Sequence, residues 1–241
     1  MLTYKSYGNS EKPVLCLLPG AGLGAWAYNQ VIPLITKKFY VIIPDVLSNF
    51  KTIDNAIYQL HELIAMEFKG KIKILAGLSL GSQIALALVA KYPAICDDLL
   101  LEGCAVFPQS ISKLIKPVTK LSYPLTRFNW FNKLQAMTLH LPPKMDRFYN
   151  QEVKAMSEQA LVNMLSANTA FNIQNLIPIN FKGKVIIAYG TKEEKLIIKS
   201  SNFLSKEFIN SRIIPLKNYH HGELTLSHPG RFCQIINSFQ N

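Results

Sequence analysis

The segment from Lys71 to Tyr92 constrains the fold more than any other part of this chain. It starts as a short apolar stretch, passes through Gly-Leu-Ser-Leu-Gly at positions 77–81, and continues as a run rich in Ala and Leu that ends before Pro93. This pattern predicts a buried strand, a sharp turn and a helix. A turn this sharp brings the backbone close together on either side of Ser79, and glycine at 77 and 81 avoids the Cβ atoms that would collide there. We therefore expect the Ser79 hydroxyl to point away from the sheet, in a strained conformation at the positive end of a helix.

The Gly-x-Ser-x-Gly motif is weak by itself, because two glycines and a serine meet by chance in many chains. The strand pattern before Ser79 and the helix pattern after it favour a reactive serine over a chance match. The remaining support has to come from other parts of the chain.

Strand and helix patterns alternate along most of the sequence. Continuous apolar runs, typical of strands buried on both faces, alternate with helical patterns such as the one over residues 52–68. This alternation predicts an α/β fold with a doubly wound, mostly parallel sheet and helices on both faces. The predicted strands are an edge strand within residues 1–8, followed by 14–18, 40–44, 71–76, 98–102, 184–189 and 212–216.

Residues 108–178 interrupt the alternation. They contain helical patterns and the Pro142-Pro143 break, with little that resembles a strand. We expect a helical cap inserted between two strands, lying over the carboxyl-terminal edge of the sheet. The core would then consist of residues 1–107 and 179–241.

The composition is that of a globular protein, with 49% hydrophobic and 17% charged residues. The longest apolar runs are too short to span a membrane, and no basic segment precedes an apolar one near Met1, so we expect neither a membrane span nor a signal peptide. No Cys-x-x-Cys pair occurs, which argues against a zinc site or a disulfide scaffold and makes the cytoplasm the expected location. The four cysteines are Cys16, Cys96, Cys104 and Cys233.

The net charge of +11 raises the question of a nucleic-acid or anionic-surface partner. The lysines are spread along the chain, with no dense basic tract and no nucleic-acid motif. We therefore expect no nucleic-acid partner and no stable membrane association.

A glycine-rich loop, residues 19–24, follows the predicted strand at 14–18. A phosphate-binding loop is disfavoured, because the Gly-Lys-Ser/Thr ending is missing. Two interpretations stay open at this point. The loop is either a tight strand-to-helix turn or a set of backbone N–H groups that face Ser79 from the neighbouring strand.

Four short segments together resemble the α/β-hydrolase family, in its compact branch of small esterases, proline iminopeptidases and cofactor-free haloperoxidases. They are Pro19–Gly22, the nucleophile elbow Gly77–Gly81, Gly190 at a strand end, and His221-Gly222-Glu223 with His228-Pro229 after it. The resemblance spans nearly the whole chain.

The family's chain order of nucleophile, acid and histidine implies a catalytic triad of Ser79, Glu193 and His221. The resemblance further implies an oxyanion hole built from the N–H groups of Ala21 and Leu80, with no metal and no organic cofactor.

The chain departs from the family pattern at three places. Pro19 stands where relatives usually carry histidine, and the acid is glutamate instead of the commoner aspartate. The glycines that usually follow the strand ending at Asp45 are absent from residues 46–49. The last departure is expected to reshape one wall of the pocket, and Asp45 itself is expected to organise its loop.

Two assignments have close rivals. Glu193 follows an apolar strand by three residues, but Glu194 and Glu102 are alternative acids. His221 is preferred over His220 as the base, because Gly222 lets the chain turn sharply after the ring. The other histidines are expected to be structural or exposed, or, in the case of His228-Pro229, to begin a helix.

A serine that is activated by histidine attacks carbonyl carbon, with a carboxylate orienting the ring. We therefore predict a serine hydrolase that cleaves small-molecule carboxylic esters of small to medium apolar acyl groups through an acyl-enzyme. The alternative is a non-catalytic protein of the same fold that binds a small apolar ligand or a protein partner. The expected acyl pocket is formed by apolar cap residues, some of which pack on the sheet instead: Phe128, Trp130, Phe131, Met137, Phe148 and Met156.

Overall fold

The computed structural model describes residues 2–240, which contain a seven-stranded sheet; Met1 and Asn241, the ends of the predicted core, lie outside the described residues. The strands are β1 (Tyr4–Tyr7), β2 (Val14–Leu18), β3 (Tyr40–Pro44), β4 (Ile72–Leu78), β5 (Cys96–Glu102), β6 (Lys184–Gly190) and β7 (Ser211–Leu216). Their spatial order is β1-β3-β2-β4-β5-β6-β7. All neighbouring pairs are parallel except β1 with β3. The predicted, mostly parallel sheet is confirmed.

The helices occupy the connections between these strands. They are α1 (Ile32–Ile35), α2 (Ile53–Glu67), α3 (Leu80–Lys91), α4 (Ser112–Ser122), α5 (Asn129–Thr138), α6 (Asp146–Ala155), α7 (Glu158–Ala170), α8 (Lys195–Glu207), α9 (Glu223–Ser227) and α10 (Pro229–Asn237). Helix α2 begins where the sequence predicts, because the Thr52 side chain accepts a hydrogen bond from the Asn55 N–H.

The sheet has an apolar core on each face. Successive side chains of a strand point to opposite faces, so β2 places Cys16 and Leu18 against α2, α3 and α8, and Leu15 and Leu17 against α1, α9 and α10. Burial on both faces explains why the central strands are continuous apolar runs in the sequence.

Helices α4 to α7 lie between β5 and β6, and no strand occurs in that interval of the described chain. Within this helical cap, α4 packs against α7 and α5 against α6, while α7 packs back onto α3. The inward side of α7 carries Met164, which is fully buried in the core. Helix α6 also packs onto the core, through Tyr149 and Val153. The cap is therefore anchored through both α7 and α6.

Within residues 2–240, no helix combines the length and the apolar character needed to cross a membrane. All four cysteines are buried and carry free thiols.

Candidate active site

Ser79 alone joins β4 to α3, and it is held in a strained conformation. Its backbone angles are φ 53° and ψ −115°, which cost a residue other than glycine about 1–3 kcal/mol. The turn is fixed from the neighbouring strand, because the Ser79 N–H donates to the carbonyl of Glu102 at 2.8 Å. The sequence prediction of a strained turn therefore agrees with the geometry.

The two motif glycines are required by close backbone approach. A Cβ on Gly77 would overlap the backbone of Gly81, and a Cβ on Gly81 would overlap the carbonyl of Leu18 in β2. Helix α3 therefore approaches both β4 and the end of β2 too closely for any larger residue at these positions.

Ser82 stabilises the same turn, a role that the sequence reasoning missed. Its hydroxyl lies 2.6 Å from the Gly77 carbonyl and 2.9 Å from the Glu102 carbonyl, and it accepts from the Glu102 N–H at 3.0 Å. The side chain is fully buried. Ser82 is therefore a structural residue, and Ser79 is the serine of the motif that opens onto a cavity.

His221 and Glu193 form a close pair at the ends of β7 and β6. The ring Nδ1 lies 2.6 Å from Glu193 Oε2, and Glu193 Oε1 accepts a second bond from the Gly190 N–H at 2.7 Å. The Glu193 side chain is 1% exposed and that of His221 is 39% exposed. A carboxylate only accepts hydrogen bonds, so Nδ1 carries the hydrogen and Nε2 keeps its lone pair.

The pKa of His221 is raised above its ordinary value by its surroundings. Burial acts to lower the pKa, but the hydrogen bond and charge of Glu193, with the charges of Glu102 and Glu194, outweigh that effect. The protonated ring is therefore stabilised in this site.

Glu194 and Glu102, the alternative acids, lie close to this pair without a hydrogen bond to the ring. Glu194 precedes α8 and lines the cavity. Glu102 is buried and accepts from the Thr225 hydroxyl at 2.5 Å and the Thr225 N–H at 3.3 Å. Burial raises the pKa of Glu102 to about 7. Its contacts tie the end of β5 to α9, the helix that follows His221.

Two further glycines position the pair. Gly103 adopts φ +59°, and a Cβ there would lie 2.6 Å from His221 Cε1 and 3.2 Å from Glu193 Oε2. A Cβ on Gly190 would overlap the carbonyl of Tyr219. Gly190 belongs to the segments that carry the family resemblance, whereas the sequence analysis did not identify Gly103 as a site residue. Its signal was its position directly after a predicted strand, which is where Gly190 also lies.

His220 makes different contacts from those of His221. Its N–H donates to Glu223 Oε2 at 2.7 Å, and its ring stacks on His140 of the cap with a centroid distance of 3.9 Å. His140 is exposed, as expected, but it lies in a turn with φ 52° instead of a helix. His61 stacks on Tyr92 and contributes nothing to the cavity.

The glycine-rich loop contacts both the cavity and the cap. Gly20, Ala21 and Gly22 line the cavity beside Ser79, and the Gly22 N–H donates to the Met164 sulfur at 3.1 Å. The hydrogen bonds within residues 2–240 leave the N–H groups of Ala21 and Leu80 without an acceptor. Two backbone donors are therefore available next to Ser79.

A cavity of about 460 Å³ lies above Ser79, and residues of the cap form much of its wall. Its apolar cap residues are Leu139, Leu141, Tyr149, Val153, Leu161 and Leu165, and its polar ones are Gln109, Thr119, Ser122, Thr126, Gln135, Thr138, His140 and Asn168. The lining is therefore mixed and includes a polar side contributed by α4, α5 and the turn between them.

The predicted acyl-pocket residues do not line this cavity, and that expectation is wrong. Phe128, Trp130, Met137 and Phe148 are exposed, Phe131 is half-buried against Trp130, and Met156 is buried in the core. For Trp130, Phe131 and Met137 the reason is the rotation of α5, which turns Gln135 and Thr138 toward the cavity and these larger side chains elsewhere.

Among the described residues, no group of three or more His, Cys, Asp and Glu side chains is arranged to hold a metal ion. The titratable groups at the cavity are the His221–Glu193 pair, Glu194, His140 and Tyr149. Proton transfer at this site would depend on these side chains.

Comparison with known proteins gives the fold. A hydrolase from Pseudomonas aeruginosa PA01 superposes with a TM-score of 0.84 at 15% identity, covering 100% of this chain and 94% of that one. The enol-lactonase from Burkholderia xenovorans LB400 superposes with a TM-score of 0.83 at 15% identity, covering 99% and 96%. The chain has the α/β-hydrolase fold. A carboxylesterase from Nitrososphaera gargenis shares this α/β-hydrolase fold, with a TM-score of 0.80 at 17% identity and coverage of 99% and 93%.

Sequence comparison is more limited. No protein-family model matches the chain. An AB hydrolase superfamily protein of Gibberella zeae is 25% identical over 123 residues, which is 48% of this chain and 43% of that protein. The matched stretch thus spans less than half of the relative's length.

Proposed function

We propose that this protein is a serine hydrolase that cleaves carboxylic esters of small to medium acyl groups through an acyl-enzyme. The observation that carries the proposal is the convergence of Ser79, His221 and Glu193 on one cavity from the ends of three different strands. The similarity in fold to carboxylesterases supports the same reaction class.

Acylation begins with proton transfer. His221 Nε2 takes the proton of the Ser79 hydroxyl as the oxygen attacks the ester carbonyl, since an un-ionised serine is a poor nucleophile. Glu193 accepts the Nδ1 hydrogen bond and stabilises the imidazolium that forms. The carbonyl carbon becomes tetrahedral, and its oxygen takes the negative charge.

The N–H groups of Ala21 and Leu80 bind that oxygen. Both donors have no other acceptor among the described residues, so they need no rearrangement before the charge appears. The Gly22–Met164 contact holds the loop that carries Ala21. Losing one such donor typically slows the reaction by about 10²–10³.

The imidazolium then gives its proton to the departing alkoxide, and the acyl group stays on Ser79. A water molecule, deprotonated by the same ring, attacks the acyl-enzyme and releases the acid. The acyl group lies against Val153, Leu161 and Leu165, which form the apolar side of the cavity.

The test is labelling with a fluorophosphonate probe, followed by peptide mass spectrometry. The adduct is expected on the peptide that carries Ser79, and Ser79→Ala should fold normally and lose the label. Ser122→Ala, which changes another cavity-lining serine, is the matched control and should keep it. Undiminished labelling of Ser79→Ala would contradict the proposal, and a folded wild type that never labels or turns over p-nitrophenyl esters would favour a binding protein.

A further inference from the structure

Two helices of the cap each expose an apolar stripe to solvent. In α4 and in α5, three large apolar residues follow the spacing i, i+4, i+7, which places them on one side of a helix. All six have between 52% and 84% of their surface exposed. They are Leu114, Val118 and Leu121 in α4, and Trp130, Leu134 and Met137 in α5.

Each stripe lies beside the cavity. Thr119 and Ser122 of α4 line the cavity, and the corresponding residues of α5 are Gln135 and Thr138. At about 100° per residue, these positions lie about 75–130° around the helix axis from the centre of the stripe on the same helix. The exposed Phe128 and Leu125 lie in the segment that connects the two helices. The apolar surface therefore borders the cavity.

The same part of the cap is strongly basic. Residues 108–145 contain six Lys and Arg residues and no Asp or Glu. Lys113 and Lys120 lie about 105–130° around the axis of α4 from the centre of its stripe, and Lys116 lies nearly opposite the stripe. All three are exposed and belong to none of the ion pairs found in residues 2–240. We call the six stripe residues and these three lysines the stripe surface.

We propose that the stripe surface binds reversibly to an anionic lipid surface. An amphipathic helix lies in a membrane interface with its apolar side among the acyl chains and its lysines at the phosphates. Long lysine side chains reach the headgroups from the flank of the helix, and tryptophan is favoured at this depth. Anionic lipid attracts nearby basic residues individually, so three lysines give a substantial attraction.

Charge argues for lipid over the other candidate occupants. A second copy of the chain would bring two basic, acid-free surfaces together, which is repulsive. A protein surface that binds single-stranded nucleic acid combines positive charge with aromatic side chains on which bases stack, whereas five of the six stripe residues are aliphatic or Met. The three lysines lie within eight residues of the sequence, and helix α4 carries all of them. This peripheral binding differs from the sequence expectation of no stable membrane association.

Binding is tested with the Ser79→Ala protein, so that lipid hydrolysis plays no part and the result is independent of the proposed function. Flotation is measured with phosphatidylcholine vesicles and with vesicles that also contain phosphatidylglycerol. The chain has two tryptophans, of which Trp26 is buried and Trp130 exposed. Anionic vesicles should bind the protein and blue-shift the Trp130 fluorescence, and high salt should reverse both effects.

Paired variants separate the two contributions. Leu114→Ser with Leu121→Ser, and Lys113→Glu with Lys120→Glu, should each weaken binding at least about tenfold. The matched controls are Ile209→Ser, which removes an isolated apolar side chain that is 87% exposed, and Lys38→Glu, on an exposed loop of the core. Both should stay within about twofold, and Trp130→Phe should lose the spectral shift while still floating.

Three outcomes would overturn the proposal. One is the absence of binding to anionic vesicles. Another is binding that Ile209→Ser or Lys38→Glu weakens as much as the stripe variants do. The third is evidence for another occupant. That evidence would be a dimer in sedimentation that becomes a monomer in the Leu114→Ser/Leu121→Ser variant, or nucleic acid that competes with vesicles and still binds this leucine variant.

Discussion

The ring of His221 rests directly against the backbone of Gly103. A Cβ on Gly103 would lie 2.6 Å from Cε1 and 2.8 Å from Nδ1 of the ring, and 3.2 Å from the carboxylate that orients it. The residue after β5 thus sets the position of an imidazole that enters from the end of β7. The geometry of the His221–Glu193 pair depends on a third strand that supplies no side chain to it.

Gly103→Ala is therefore expected to lower kcat/KM at least about 100-fold, because a displacement near 1 Å at a reacting group costs about that much. The variant also places alanine at positive φ, which strains the backbone. Steady-state hydrolysis of one p-nitrophenyl ester measures the effect. Gly70→Ala is the matched control, since Gly70 has φ +80° and open space around its Cβ position. If both variants lose activity equally, the loss comes from backbone strain and the contact with His221 does not matter.

The second prediction concerns the carboxylate. Glu193→Gln should reduce kcat by about 10³–10⁴, because the amide can stabilise the wrong tautomer of His221. Glu194→Gln should remain within about tenfold, because Glu194 contributes charge and no hydrogen bond to the ring. Stopped-flow kinetics with the same ester measure the rate of acylation separately from product release. A larger loss in Glu194→Gln than in Glu193→Gln would reassign the acid.

The pH dependence of the reaction follows from the raised pKa of His221. The ring acts as a base only when neutral, so activity should rise with pH through a midpoint above about 6.5, the ordinary value for histidine. Removing the negative charge of Glu194 lowers the pKa, so Glu194→Gln should move that midpoint to lower pH without a large change in the plateau. The profile of kcat/KM between pH 5 and pH 9 tests this, and a midpoint that moves upward would contradict it.

The sequence predicts the sheet well because its central strands are buried on both faces. Residues 98–102 and 184–189, for example, are predicted as strands, and they form β5 and β6 with small differences at the ends. The roles of the motif glycines were equally predictable, because close backbone approach leaves glycine as the only residue that fits at positions 77 and 81.

The side chains of the cap that face the cavity were harder to predict from the sequence, for a physical reason. Helices α4 and α5 carry large apolar residues on a side that nothing in the described chain covers, and small polar residues toward the cavity. A rule that buries apolar residues therefore assigned Trp130 and Met137 to the wrong side. Gly103 and Ser82 were missed because their roles depend on contacts between strands that are distant in sequence.

Glu102 gives a prediction about stability. Its pKa is raised to about 7 in the folded protein by burial, compared with about 4.5 in the unfolded chain, so folding takes up a proton in this range. The associated stability is present below about pH 4.5 and is lost as pH rises through about 7, by up to about 3 kcal/mol. Glu102→Gln keeps the size of the side chain without the titration, so its stability should change less between pH 5 and pH 8.

Urea unfolding at these two pH values measures the difference, with Glu11→Gln, an exposed glutamate, as the control that should behave as wild type. Glu102→Gln should also keep kcat within about tenfold if Glu102 is not the triad acid. A wild type whose stability increases from pH 5 to pH 8 relative to Glu102→Gln would show the opposite sign.

The last prediction separates the two adjacent histidines. His221 contacts Glu193, whereas His220 stacks on His140 and gives only its backbone N–H to Glu223. His221→Gln should therefore abolish both turnover and probe labelling, because no base remains for Ser79. His220→Gln should leave labelling intact and alter mainly KM, since its ring joins the core to the cap at the cavity rim. His140→Gln removes the other ring of the stack and should reproduce the His220→Gln change in KM. Measuring kcat and KM of the three single variants on one ester tests the assignment. If His220→Gln is the inactive variant, the base is His220. If His220→Gln changes KM and His140→Gln does not, the stacking contact does not determine KM.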